Sequence, residues 1–201
     1  MKIPVEEQYK YVKLILPDGS KAEGQAVLLH ACCAPCSAAI VECMLRNGMK
    51  PTVYFSNSNI YPQQEYDVRK HELKRFLEAQ NVPYVEDEYD HHEWLSVIKG
   101  LEDEPERGSR CSVCFQFRLS HAAKYAQEHG FHLLTTTLAS SRWKNIRQID
   151  TAGHLAVEAY PDVEWWDMNW RKGGLQNRRG ELLRINEFYN QLYCGCEFSM
   201  R

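Results

Sequence analysis

Seven cysteines in three tight sets constrain this chain more than any other feature: Cys32-Cys33-Ala34-Pro35-Cys36, Cys111-Ser112-Val113-Cys114 and Cys194-Gly195-Cys196. A chain of 201 residues with eight cysteines in all is too long and too sparse in cysteine to be a small secreted disulfide scaffold. In a reducing compartment such cysteines more often hold metal or exchange disulfides. Adjacent thiolates resist binding a single ion, because the short chain between them opposes the geometry, so Cys32 and Cys33 point at two neighbouring centres. The Cys111 to Cys114 spacing sets two sulfurs on one turn, as iron–sulfur clusters, zinc sites and redox disulfides all do. Gly195 lets the backbone fold close around an inorganic centre. Seven thiolates divide into four for a [4Fe–4S] cluster and three for a second metal. The alternative, two tetrahedral zinc sites, requires an eighth ligand such as His30. Cys43 lies two helical turns beyond Cys36, about 10 Å away at the α-helical rise, and reads as a small buried side chain.

The first cysteine set interrupts a regular pattern. Ala26–Ala31 is a short apolar run suited to a strand buried on both faces, and Pro35 suits the first turn of a helix that continues over Ser37–Asn47 to Gly48. Strands are then expected at Thr52–Phe55, Tyr84–Tyr89 and Leu133–Leu138. Helices are expected at Gln63–Ala79, His92–Leu101, from near Cys111 to His129, and at Asn145–Ala159 before Pro161. This alternation predicts an α/β fold, a mostly parallel sheet with helices on both faces and ligands at the carboxyl ends of its strands. One domain is expected. Residues 1–24, with the turn signal Pro17-Asp18-Gly19, form an N-terminal extension; residues 25–160 form the core; residues 161–201 form a C-terminal region in which a last helix, from about Leu182, delivers Cys194 and Cys196.

Net charge of −3 supplies no global basic field, so a nucleic-acid partner has to be sought locally. The local candidates are Arg142, Lys144 and Arg147, and the run Arg171, Lys172, Arg178 and Arg179, with Trp143 or Trp170 to stack a base. No apolar stretch reaches the roughly eighteen residues of a membrane helix, and the acidic start lacks a signal-type apolar core, so a cytoplasmic protein without membrane contact is expected.

Five motifs in order, HACCAPCS, YFSNSNIYPQQEYDVRKHE, GSRCSVCFQFRL, TTTLASSRWKN and YCGCEFS, resemble the iron–sulfur epoxyqueuosine reductases called QueH, from about Leu28 to Ser199. The resemblance implies a Rossmann-like fold related to the adenine nucleotide alpha hydrolases. It also implies a [4Fe–4S] cluster beside a mononuclear iron, and reduction of epoxyqueuosine to queuosine at the tRNA wobble base by way of an external electron donor. In that family the position of Cys36 can be aspartate. This places Cys32, Cys36 and one of Cys194 or Cys196 around the single iron, with Cys33, Cys111, Cys114 and the other terminal cysteine around the cluster. By motif position His30, Asn57 and Tyr61 are candidates to protonate the departing oxygen. Three rivals are tRNA thiolation, a zinc-stabilised nucleic-acid binding module and a thiol–disulfide reductase. The first needs a glycine- and serine-rich phosphate loop after the first strand, where this chain has CCAPC.

Overall fold

The computed structural model describes residues 5–200. Strands β1 (Ala26–His30), β2 (Lys50–Phe55), β3 (Tyr84–Glu86), β4 (Leu133–Thr136) and β5 (Glu164–Trp165) form one parallel sheet in the order β3-β2-β1-β4-β5. Between them run α1 (Ala34–Arg46), α2 (Gln63–Ala79), α3 (His91–Val97), α4 (Ser109–Glu128) and α5 (Ile146–Val157), and α6 (Leu175–Ile185) follows β5. The period-2 alternation of β1 sorts its side chains between two cores. Val27 and Leu29 join the cluster that holds Ala38, Leu73 and Leu182, from α1, α2 and α6. Leu28 joins Leu119, Ala122, Leu134, Ile149 and Trp165, from α4, β4, α5 and β5. Helices therefore cover both faces, which an all-parallel sheet requires.

The expected alternation forms, with differences at its edges. Helix α1 starts at Ala34, so Pro35 lies within its first turn, and the last strand before the Trp143 loop is shorter than its β-branched run. The Thr136 hydroxyl accepts the Leu138 N–H at 3.1 Å and turns Thr137–Ser140 into a 3-10 segment. Two-residue β5, in the region assigned to the C-terminus, carries too short a pattern to read from sequence. The last helix begins seven residues before its expected start, because buried Leu175 and Leu182 share a face that the polar run between them obscures. It ends at Ile185, Glu187 adopting a left-handed φ of 51°. Cys194 and Cys196 thus sit on irregular chain beyond the helix rather than on it.

Of the N-terminal extension, residues 1–4 lie outside the described residues. The rest closes over the α1 and α6 side, with Tyr9, Leu14 and Ala22 buried and a bridge between Ile15 and Lys21 around the Pro17-Asp18-Gly19 turn. Trp166 Nε1 donates to the Ile15 carbonyl at 3.1 Å, tying this segment to the chain just past β5.

Small residues set how closely α5 approaches the sheet edge. A Cβ built on Gly153 would stand 2.1 Å from a ring carbon of buried Trp165. Glycine to alanine inside a helix otherwise gains up to ~1 kcal/mol, whereas overfilling a packed core costs ~1–3 kcal/mol. Clash wins here, so Gly153→Ala should lower stability by ~1–2 kcal/mol, seen as an earlier urea midpoint; an unchanged or later midpoint would show that Trp165 yields freely.

Candidate metal centre

The strand order reverses between β1 and β4, and ligands of doubly wound sheets bind in the crevice outside the carboxyl ends at that point. Here the loops leaving β1 and β4 meet through sulfur and hydroxyl. The Cys32 N–H donates to Thr137 Oγ1 at 3.2 Å, and the same hydroxyl lies 3.6 Å from Cys32 Sγ. The sulfurs of Cys32, Cys33 and Cys36 all fall within 4.8 Å of one another, with Cys32 and Cys33 at 3.7 Å. Tight turning into α1 produces this: Cys33 is its extended N-cap residue and Cys36 lies in its first turn.

The other two sets arrive from α4 and from the terminal segment. Cys111 and Cys114 stand one turn apart near the start of α4, and Cys114 packs with Cys196 in an apolar cluster containing Trp94 and Ile98. Gly195 has a φ of 117°, in the region open to glycine, and an added Cβ would press on Arg69 Nη1 and Ile60 Cγ1, both at 3.0 Å. Arg69 donates to the carbonyls of Cys194 (3.0 Å) and Tyr193 (3.2 Å), and the Tyr61 N–H donates to Gly195 O at 2.8 Å. The loop after β2 and helix α2 therefore hold the terminal cysteines in place. Gln191 Nε2 reaches Cys33 Sγ at 2.8 Å, joining the last segment to the first.

Cations surround these thiols. Arg118, one turn beyond Cys114 on the same face of α4, is 2% exposed, and its partners are neutral oxygens: Ser56 O at 3.1 Å and Asn57 Oδ1. Half-buried Lys144 places Nζ 2.9 Å from Cys194 Sγ. Burial opposes ionisation of Cys194, but Lys144, with Arg118 and Arg69, holds the thiol below its usual range. Cys32 is held well below it by hydrogen bonds from Cys33 and Cys36. The complementary effect pushes Cys33 well up and Cys36 up to about 11. Burial raises Cys111 and Cys114, and pushes Cys196 up to about 12. Protons on such thiols leave when a metal replaces them. All eight cysteines are free. Soft donors, with Arg118 and Lys144 turned toward them and neither cation hydrogen-bonded to a carboxylate among the described residues, fit a thiolate-ligated iron or zinc centre.

Among the remaining candidates, His30 is fully buried between Thr136 Oγ1 (2.7 Å from Nδ1) and Ser56 O (3.1 Å from Nε2), so the ring is neutral, with Nε2 as donor. Burial, then Arg118, drives its pKa down to about 3. Asn57 donates to Ala31 O at 2.8 Å and accepts from Arg118, bracing the β1 loop. Tyr61 is 43% exposed and stacks on His91. Arg142, Trp143 and Arg147 are exposed around the loop whose next residue, Lys144, turns inward. Arg171 donates to Lys144 O at 2.8 Å, and Arg178 is engaged with Glu42 (2.7 Å) and Glu181 (2.8 Å). Lys172 is exposed, half-buried Arg179 acts electrostatically on Cys36, and Trp170 is buried against Trp166. Sequence reasoning missed Arg69, Arg107, Arg118 and Gln191. Only Arg118 carried a signal, its spacing of four from Cys114 on a helix.

Sheet order and thiol placement define a Rossmann-like α/β protein with a cluster of cysteine sulfurs at its switch point. The fold agrees with that of the U34-tRNA thiolase NcsA from Methanococcus maripaludis with its [4Fe-4S] cluster: TM-score 0.58, 13% identity, 98% of this chain and 67% of that one. The family model "Epoxyqueuosine reductase QueH" matches residues 27–201, and the chain belongs to that family. Relatives carrying that name are 48% identical in Histophilus somni (94% of this chain, 76% of the relative) and 45% in Acinetobacter baylyi (94% and 85%). One from Thermotoga maritima is 32% identical (87% and 90%).

A charged prop stands behind this wall. Asp87 Oδ2 accepts from Ser56 Oγ (2.6 Å) and His121 Nδ1 (2.9 Å), while the Ser56 carbonyl carries His30 and Arg118. The hydrogen bond from Asp87 raises His121 above 6.5, so that stabilisation is complete below 6.5 and fades as pH rises through the raised value. Burial works against ionised Asp87, but His121, Ser56 and Tyr54 hold it below 3.8, so its contribution is complete above 3.8 and fades in stronger acid. The pair therefore contributes most between these values. For Asp87→Asn, the deficit in urea stability relative to wild type should be larger at pH 5.5 than at pH 9, by up to ~1 kcal/mol. A deficit that stays constant over that range would remove the ion pair from the account.

Proposed function

We propose that the chain reduces epoxyqueuosine to queuosine at the wobble base of tRNA, as a cytoplasmic oxidoreductase with a [4Fe–4S] cluster and an adjacent single iron. The observations that carry this are the close group of Cys32, Cys33 and Cys36 sulfurs at the sheet's switch point and the inward Lys144 on Cys194, in a chain of the QueH family. Among the described residues no helix is long and apolar enough to cross a membrane.

Removing the epoxide oxygen breaks both of its carbon–oxygen bonds and forms a carbon–carbon double bond. It consumes two electrons and two protons and releases water, the electrons coming from an external one-electron donor. When bound, the metals supply one-electron transfer at the cluster and Lewis-acid polarisation at an open iron. Cys33, Cys111, Cys114 and Cys196 would hold the cluster, since Cys114 and Cys196 share one apolar pocket. Cys32, Cys36 and Cys194 would hold the iron, leaving a position for the substrate. Arg118 and Lys144 would offset the thiolate charge.

His30, with both ring nitrogens occupied and its pKa near 3, orients the β1 edge through Thr136 and Ser56. Asn57 braces the same edge, and Tyr61, exposed above the terminal cysteines, is the candidate that reaches solvent. For the RNA, exposed Arg142 and Arg147 offer phosphate contacts and Trp143, 77% exposed, a face on which an unstacked base can rest. Exposed Lys172 and half-buried Arg179 are further candidates for phosphate contact, whereas Arg171 and Arg178 are engaged with a backbone carbonyl and with carboxylates.

Anaerobic preparation should return about five irons and four sulfides per chain, and the protein should convert epoxyqueuosine in tRNA with a chemical reductant. Cys33→Ser should lose sulfide and at least ~100-fold in turnover, more than the ~10–100-fold typical of losing a residue that only supports a ligand. Colourless protein with stoichiometric zinc and no sulfide, inactive on that tRNA, would defeat the reading.

A further inference from the structure

Lys144 belongs to a basic cluster that sequence alone would send toward phosphate, yet its ammonium turns inward, 2.9 Å from Cys194 Sγ and over the Phe115 ring at 5.8 Å. A long flexible side chain reaches inward reproducibly only from a fixed origin, and this one has it. Arg107 Nε donates to the Trp143 carbonyl at 2.7 Å, Arg171 to the Lys144 carbonyl at 2.8 Å, and Asn145 caps α5 through the Arg147 N–H at 3.0 Å. The same Arg107, at a left-handed φ of 69°, directs its own N–H to Cys111 Sγ at 3.3 Å. Arg107, which holds the Trp143 carbonyl, and Lys144 itself thus donate to sulfurs of two different cysteine sets.

Like charges nearby make the inward turn informative. Arg118 acts on the same thiols and repels Lys144, so an ammonium with solvent within reach would leave unless an anion held it. The group that Nζ meets at 2.9 Å is the Cys194 sulfur, whose thiolate form the ammonium favours. Cys32 feels the same ammonium.

We infer that Lys144 is a positioning residue of the metal centre: its ammonium offsets the charge of the Cys194 thiolate and raises the reduction potential of whichever iron centre Cys194 ligates. Reduction adds one negative charge to a centre held by thiolates, and a donor or positive charge on a ligating sulfur stabilises that added charge. Losing the ammonium makes each one-electron reduction harder. The clamp by Arg107 and Arg171 makes the effect a fixed property of the site.

This rests on the reading that Cys194 ligates iron, and the test separates the two. Anaerobic holoprotein, wild type and Lys144→Met, is titrated potentiometrically with soluble mediators carrying electrons from an electrode, after iron and sulfide have been counted. Lys144→Met should retain its metal while one couple moves to lower potential, by tenfold or more in the reduced-to-oxidised ratio at fixed potential, about 59 mV for one electron. The second couple serves as internal reference, and the couple that moves identifies the centre of Cys194. Lys144→Arg should restore most of the shift; Lys144→Gln, which keeps a donor without the charge, should fall between. If Lys144→Met sheds its metal, the Gln and Arg variants carry the comparison. Metal-loaded variants whose couples all match wild type overturn the role of Lys144 and leave the metal reading intact; wild-type protein without iron overturns both.

Discussion

Burying a charge without compensation costs several kcal/mol, and that constraint organises this molecule. Arg118 is 2% exposed with only neutral oxygens as hydrogen-bond partners, and Lys144 spends its ammonium on a sulfur. Neither arrangement is stable in isolation. Cysteines from three distant parts of the chain supply the counterpart, and on the proposed reading a metal would displace the protons that burial keeps on Cys111, Cys114 and Cys196. Cations and cysteines therefore depend on each other.

The sheet makes the meeting possible. Its carboxyl edge presents the loops after β1, β2 and β4 side by side, and their polar groups are satisfied across strands. Asn57 carries the Ala31 carbonyl, Thr137 carries the Cys32 N–H, and Ser56 carries both His30 and Arg118. The terminal segment, irregular after α6, gains its shape from partners on other elements: Arg69 on α2, Tyr61 after β2 and Gln191 against Cys33. Function sits on loops, and the helices and strands serve to aim them.

Much of this was legible beforehand. A buried apolar run ending in adjacent cysteines read as a strand feeding a tight cysteine turn, and the alternating periods of the core announced a parallel sheet. What stayed hidden lay where local pattern is weakest. Two-residue β5 has no periodicity to read, and Gly180 with its arginine neighbours masked α6. The basic residues that composition groups together were separated by the fold. Arg142 and Arg147 face outward, Lys144 turns to Cys194, Arg171 clamps a carbonyl and Arg178 pairs with Glu42 and Glu181.

By itself the sequence determined the chemistry available: seven thiols in three sets, soft donors suited to metal or redox chemistry, on an α/β frame whose hydrophobic periods are local properties of the chain. Tertiary structure alone decided which charges compensate which. Lys144 and Cys194 lie 50 residues apart, Gln191 and Cys33 lie 158 apart, and Arg69 meets the terminal cysteines from α2. Electrostatic and hydrogen-bond pairing act through space over a few ångströms, whereas sequence records only order along the backbone. No local pattern could therefore tell a lysine destined for phosphate from one destined for sulfur.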